Sequence, residues 1–301
     1  MTSAIRTEKL GKTYYSGFFR FPYPALMDLD LDVPEGSAFG FVGPNGAGKT
    51  TTIKTLMGLQ RPTAGGGWIH GVPISDPASR LRVGFLPERP YFYEHLSASE
   101  FLDFYARLGD VPSSERGGRV AKLLERVDLG RFRDVPLGKF SKGMLQRAGL
   151  AQALIADPDL LVLDEPMSGL DPIGRALVRD LIVEERNAGK TVFFSSHILS
   201  DIEAICDRVA MVVGGKLRGQ GKVSELLEGA VQHVEIGLRR GDERETRNVP
   251  PAESNAALVK AHGEGWTIVN VHPVSKTLEQ LLLDEVERAR PVVTKRLGVL
   301  A

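Results

Sequence analysis

The stretch Gly43-Pro44-Asn45-Gly46-Ala47-Gly48-Lys49-Thr50, followed by Thr51, constrains this chain more than any other feature. It fits the pattern G-x-x-x-x-G-K-[ST] without a mismatch. Ahead of it, Ala38 to Val42 is a short apolar run that predicts a buried strand. Behind it, Thr51 to Met57 predicts a helix stopped at Gly58. A strand, a glycine-rich loop and a helix in that order make a phosphate cradle. Glycines let the backbone turn sharply and bring its N–H groups against phosphate oxygens, where a side chain would block the approach. The helix that follows points its positive end at the same anion. Lys49 is expected to reach the β- and γ-phosphates, and the Thr50 hydroxyl to ligate Mg²⁺. The bland alternative is a glycine-rich turn that matches by accident, which the strand–loop–helix context disfavours.

A chain of 301 residues is long for one domain and suits two. Its 38 Lys plus Arg balance 38 Asp plus Glu, so it lacks the positive field of a dedicated nucleic-acid binder. Cys206 is the single cysteine, which forbids an internal disulfide and fits a reducing cytosol. Met1 to Leu10 lacks the apolar core of a signal peptide, and no stretch approaches the roughly 20 apolar residues that span a bilayer. Work at a membrane is therefore expected to go through a partner.

In chain order, Ser3 to Tyr15 reads as a short strand and turn, and Gly17 to Pro24, aromatic and broken by prolines, as a loop insertion. Leu29, Leu31 and Val33 alternate as a half-buried strand, expected to form a hairpin with Ala38–Val42. Trp68–Ile69 and Val83–Leu86 are short strand candidates. From Pro87 to Ala156 the pattern is helical, with Ser97-x-x-Glu100 as a capping box ahead of Phe101, Phe104, Tyr105 and Leu108. An α/β rhythm then returns: strands at Leu160–Leu163, Thr191–Ser195 and Val209–Val213, with helices at Ile173–Asn187 and Ile198–Cys206. That alternation predicts a parallel sheet with crossover helices. The remainder predicts a small β-α-β-α accessory domain, with Arg239 to Arg247 as a solvated loop. The expected domains are 1–228, with its helical insertion at about 87–156, and 229–301.

The run Leu160-Leu161-Val162-Leu163-Asp164-Glu165-Pro166 is an apolar strand ending in two acids. Carboxyl ends of parallel strands carry the ligand site, so Asp164 is expected to hold Mg²⁺ and Glu165 to polarise an attacking water. The alternative is an acidic pair capping a strand into solvent.

Asp164-Glu165-Pro166 is followed by Met167-Ser168-Gly169-Leu170-Asp171, preceded by Phe140-Ser141-Lys142-Gly143-Met144-Leu145-Gln146-Arg147, and joined one strand later by Ser195-Ser196-His197. In order and spacing this set resembles the nucleotide-binding subunit of an ATP-binding-cassette (ABC) transporter over roughly residues 1 to 228. The resemblance implies an α/β, RecA-like ABC ATPase domain with an antiparallel β subdomain and a helical insertion, and ATP with Mg²⁺ as ligands. It implies a head-to-tail dimer, with itself or a related subunit, in which each ATP lies between one phosphate loop and the other subunit's Ser141–Met144 signature. Ser141 and Gly143, at a helix start, would then form a second anion cradle. Asp171 resembles the loop acid that communicates across that dimer, and His197 the switch histidine that contacts the γ-phosphate. Tyr14 resembles the aromatic that stacks on adenine, with Tyr15 a rival. The signature departs from the usual Leu-Ser-Gly-Gly-Gln at Lys142 and Met144. Glu88 stands where many members carry Gln, and a carboxylate there can also ligate Mg²⁺ or its water. These departures and the C-terminal appendage resemble the branch serving ABC-2-type exporters.

That branch implies an ATPase on the cytoplasmic face of the cell membrane, powering export through a separate membrane-spanning permease. The segment Arg89 to Leu96, with four ring side chains, would face the permease through Tyr91 or Tyr93; the alternative is that Phe92 and Tyr93 fill the helical core. A soluble cassette acting on nucleic acid or ribosomes is a second reading, disfavoured by the balanced charge and single cassette. A non-hydrolysing regulatory cassette is a third, disfavoured by Lys49, Asp164, Glu165 and His197 together.

Overall fold

The computed structural model describes residues 2–16, 21–228 and 231–289. It divides the chain into two units, Met1–Gln220 and Gly221–Ala301, eight residues ahead of the expected boundary at 228. In the first, β1 (Ser3–Ser16), β2 (Phe21–Leu29), β3 (Asp32–Pro34), β5 (Ala64–Ile69) and β6 (Val72–Pro73) form an antiparallel sheet of order β2-β1-β5-β6, with β3 also on β1. The second sheet takes β4 (Ala38–Val42), β7 (Val83–Leu86), β8 (Leu160–Asp164), β9 (Thr191–Ser196), β10 (Arg208–Val213) and β11 (Lys216–Lys222), in the order β11-β10-β4-β9-β8-β7. Its pairs from β10 through β7 are parallel.

Two expectations fail here. The Leu29–Val33 segment does not form a hairpin with β4. All five residues of β4 are buried, which suits a central strand covered on both faces. In β3 only Val33 is buried, which suits an antiparallel strand with one wet face, and it pairs with β1. Phe21 to Pro24 is strand and not loop: Tyr14 faces Tyr23, Tyr15 faces Pro22 and Ser16 faces Phe21. Proline is tolerated because β2 is an edge strand, where no ladder donor is needed on the outer side. The rest of the expected insertion, residues 17–20, lies outside the described residues.

Helices α1 (Lys49–Leu56), α5 (Pro172–Asn187) and α6 (Leu199–Ile205) accompany the parallel sheet, and α2 (Ala98–Leu108), α3 (Ser113–Arg126) and α4 (Lys142–Leu154) make the helical insertion. The Ser97–Glu100 capping box closes in both directions and starts α2. One core joins the two sheets, with Ile5, Leu10 and Leu29 from the first and Phe39, Phe41, Val162 and Phe193 from the second. Phe41 and Phe193 meet at 5.4 Å between ring centroids, below the phosphate loop that β4 feeds.

In the second unit, α7 (Val223–Glu228) leads to β12 (Val231–Arg240), β13 (Glu243–Val249), α8 (Ser254–Gly263), β14 (Thr267–Ser275) and α9 (Leu278–Ala289). The sheet is antiparallel in the order β13-β12-β14. The expected β-α-β-α unit therefore gains a strand, because the charged run Arg239 to Arg247 is a hairpin and not a loop. Its arms satisfy each other's backbone groups, so the charged side chains can remain in water. Val234, Ile236, Leu238, Ala261 and Trp266 form a small core.

Candidate nucleotide site

The carboxyl ends of β4, β7, β8 and β9 converge on one side of the parallel sheet, where open α/β sheets bind ligands. A cavity of about 490 Å³ opens there. Residues 44–51 of the phosphate loop and α1 form its floor, and Tyr14, Tyr23, Glu88, Glu165, Ser168 and His197 its walls. Gly48 holds φ 108° at the start of α1, and a Cβ there would stand 2.8 Å from the Ala25 carbonyl oxygen. Only glycine meets both demands, which is why the turn that aims the N–H groups needs it.

Lys49 is buried and turned back on its own loop, donating from Nζ to the Gly43 carbonyl at 2.7 Å. Its Nζ also lies 3.5 Å from Glu165 Oε1, and the other carboxylate oxygen of Glu165 lies 2.7 Å from His197 Nδ1. Glu165 sits between the two groups that the sequence assigns to the γ-phosphate. Its backbone is left-handed, at φ 53°, a conformation that costs a non-glycine residue on the order of 1 kcal/mol. The Ser195 hydroxyl braces this turn by accepting from the Glu165 N–H at 2.9 Å and donating to Asp164 Oδ1 at 2.6 Å.

Asp164 is 1% exposed and does not line the cavity. Burial pushes its carboxyl above the ordinary value of 3.8; hydrogen bonds from Ser195 and Thr50 oppose this, and the charges of Glu88 and Glu165 add to it. The Thr50 hydroxyl with the Asp164, Glu88 and Glu165 carboxylates is a hard-oxygen set in which a cation would relieve the repulsion on Asp164, so these residues fit Mg²⁺. They form no ready-made cage, since no group of three or more His, Cys, Asp or Glu among the described residues could hold a metal alone. Mg²⁺ commonly takes its remaining oxygens from phosphate and water.

Other expected site residues lie apart. Ser141, Gly143 and Asp171 are not among those lining the cavity, and neither is Gly43, whose carbonyl holds Lys49. Ser141 caps α4 by accepting from the Met144 N–H at 3.3 Å, and Asp171 caps α5 by accepting from the Gly174 N–H at 2.8 Å. The Tyr14 hydroxyl bonds Gln60 and lies 3.4 Å from the Thr51 hydroxyl, with Lys12 over its ring at 5.3 Å. Tyr15 is exposed and does not line the cavity.

Three residues escaped the sequence reading. Tyr23 lines the cavity because β2 pairs it with Tyr14, a register that a proline-broken segment does not advertise. Ser168 lines it from the turn after β8. Gln146 is buried in α4 and donates to the Pro166 carbonyl at 3.0 Å, tying the signature helix to the turn that carries Glu165. Its signal was a glutamine on a helix face otherwise made of Ala, Gly and Leu.

A profile of the ABC transporter family matches residues 26–168. An uncharacterized ABC transporter ATP-binding protein of Nostoc sp. is 47% identical over 80% of this chain and 72% of its own length. The chain belongs to the ABC transporter family. It is an ATP-binding, ATP-hydrolysing subunit of that family, and no helix among its described residues is long and apolar enough to cross a membrane. The Nod factor export ATP-binding protein I of Cupriavidus metallidurans is 38% identical over 77% of this chain and 75% of its own length. A solved ATP-binding subunit of an ABC transporter superposes with TM-score 0.67 at 29% identity, over 75% of this chain and 93% of that one.

Proposed function

We propose that this cassette hydrolyses ATP on the cytoplasmic face of the cell membrane to drive export by a separate membrane-spanning permease of the ABC-2 type. The observation that carries the reading is the Lys49–Glu165–His197 chain across the mouth of the phosphate loop. The γ-phosphate of ATP is the competitor for that chain: it takes Lys49 by charge and His197 by hydrogen bonding, and frees Glu165 to accept a proton from an attacking water. Thr50, Asp164 and Glu88 would hold Mg²⁺, which would supply positive charge to offset the negative charge of the phosphates. Tyr14 and Tyr23, which both line the cavity, would stack on the adenine base.

Ser141, Gly143 and Asp171 lie outside the cavity's lining, which accords with their serving the ATP of a second cassette, a copy of this chain or a relative, in a head-to-tail dimer. The permease face in this reading is the aromatic ledge after Glu88. Tyr91 is 83% exposed and Tyr93 40%, stacked edge-on at 6.1 Å, and Tyr93 rests on Phe104. Phe92 instead packs inward on Phe101. Exposed amphipathic rings on a fixed loop are the groups that anchor protein interfaces.

The test is affinity purification from native membranes, with ATPase assay of wild type and Glu165→Gln. Recovery of a polytopic membrane protein, and a turnover about 10²–10⁴-fold lower in the variant with ATP binding kept, is the expected result. Recovery of nucleic acid or ribosomes instead, or near-wild-type turnover in Glu165→Gln, overturns it.

A further inference from the structure

The hairpin of the second unit puts two arginines on one rung. Arg239 of β12 faces Arg244 of β13, so their side chains leave the same face of the sheet with Cβ atoms about 5 Å apart. Like charges in that register repel, and folding alone has no use for the arrangement. The neighbouring charges are matched: Arg240 pairs with Glu243 at 3.0 Å, and Arg247 pairs with Glu245 at 2.7 Å and with Glu264 at 2.9 Å. Among the described residues, no carboxylate is paired with Arg239 or Arg244.

Arg239 and Arg244 border a hollow of about 250 Å³ whose other walls are Gly237, Leu238, Glu245, Thr246, Val269 and Asn270. Glycine at position 237 makes room there for a neighbouring side chain. The Asn270 carboxamide occupies the place of a side chain there, accepting from the Gly237 N–H at 3.0 Å, and a Cβ would lie 2.1 Å from its Oδ1. With Oδ1 engaged, Asn270 Nδ2 is left as a donor beside the hollow, and Thr246 adds a hydroxyl. Two forked cations, an amide donor and a hydroxyl suit a tetrahedral oxyanion with several acceptor oxygens. Glu245 is the one acid in the lining, and both of its carboxylate oxygens accept from Arg247.

We propose that this face of the C-terminal sheet is a binding site for a phosphate group, separate from the nucleotide site. Val269, 61% exposed, gives the hollow an apolar wall. A soluble phosphate ester and a phospholipid headgroup share the chemistry that the cradle recognises.

The full chain is first saturated with Mg·ADP so that the phosphate loop is occupied. Inorganic phosphate is then titrated by calorimetry, and vesicles of equal parts phosphatidylglycerol and phosphatidylcholine are co-sedimented against phosphatidylcholine alone. Binding is expected in at least one arm: response to free phosphate assigns a soluble ester, and response to anionic vesicles alone assigns a headgroup. Arg239→Gln with Arg244→Gln weakens it about tenfold or more, the loss expected for charge-assisted hydrogen bonds. Arg244→Glu does the same, and replaces a repulsive rung by an ion pair that the register supports, so it remains folded. Arg107→Gln with Arg133→Gln removes equal charge elsewhere and binds as wild type. No binding in either arm, equal binding by the cradle variants, or equal weakening by the control pair overturns the proposal.

Discussion

Asp164 is the residue whose burial conflicts most directly with its charge. Its carboxyl is raised above the ordinary value by desolvation, with Glu88 and Glu165 adding repulsion. The native state therefore holds its proton more tightly than the unfolded chain, and the resulting stabilisation is present in acid and lost as pH rises through the native value. At neutral pH, without nucleotide or Mg²⁺, the ionised group destabilises the fold. Asp164→Asn is expected to raise the melting temperature at pH 7 by roughly 2–4 °C, the shift per kcal/mol for a chain of this size. The gain should be smaller at pH 4 than at pH 7, because wild type takes up the proton that burial favours as pH falls. Scanning calorimetry of both proteins across that range checks the sign; an equal gain at both pH values removes the electrostatic explanation. Lys49→Ala belongs to the same scale. It removes the charge facing the β- and γ-phosphates and should weaken ATP binding itself, read by equilibrium titration, whereas Glu165→Gln leaves binding intact.

Among elements, the junction of α3, α5 and the start of β9 depends on one buried acid. Glu185 is 4% exposed and lies 2.7 Å from Arg126 and 2.8 Å from Lys190. Burial works against the charge on Lys190, but hydrogen bonds to Asp157 and Glu185 outweigh it and raise its proton affinity. Its contribution therefore persists through neutral pH and is lost only in strong alkali. Glu185→Ala removes the buried carboxylate that the two cations share, while Arg126 keeps Glu184 and Lys190 keeps Asp157, and should cost about 2 kcal/mol, seen as a lower urea midpoint with an unchanged slope. The aromatic ledge makes the opposite prediction. Tyr91→Ser and Tyr93→Ser remove exposed rings, so the isolated subunit should keep its melting temperature and ATPase rate while losing affinity for the permease in a pull-down. Unfolding of both variants, or undiminished capture by both, would show that the ledge is not the contact.

For the whole molecule, the two units carry separate hydrophobic cores, one around Phe39, Phe41 and Phe193 and one around Val234, Ile236 and Trp266. Separate cores predict separable folding. A chain ending at Glu228, which keeps β11 and α7 whole, is expected to fold and to bind ATP as the full chain does. Aggregation of that fragment, or loss of nucleotide binding in it, would mean that the second unit completes the first.

The nucleotide site was legible wherever a short segment encodes its own geometry. The phosphate loop needs glycine for a left-handed φ at Gly48, Ser97 and Glu100 close a cap within one turn, and the apolar run into Asp164 suits a strand covered on both faces. Those requirements are local, so residues adjacent in sequence carry them. Long-range burial decided the rest. It assigned β3 to β1 and not to β4, paired Tyr23 with Tyr14, and brought Lys49 and His197 to opposite oxygens of Glu165. A segment of three to nine residues does not specify its strand partner, because several strands could satisfy the same backbone groups. Tertiary packing makes that choice by which faces it leaves wet, and the same choice aligned Arg239 with Arg244 in a stretch that reads by composition as a solvated loop.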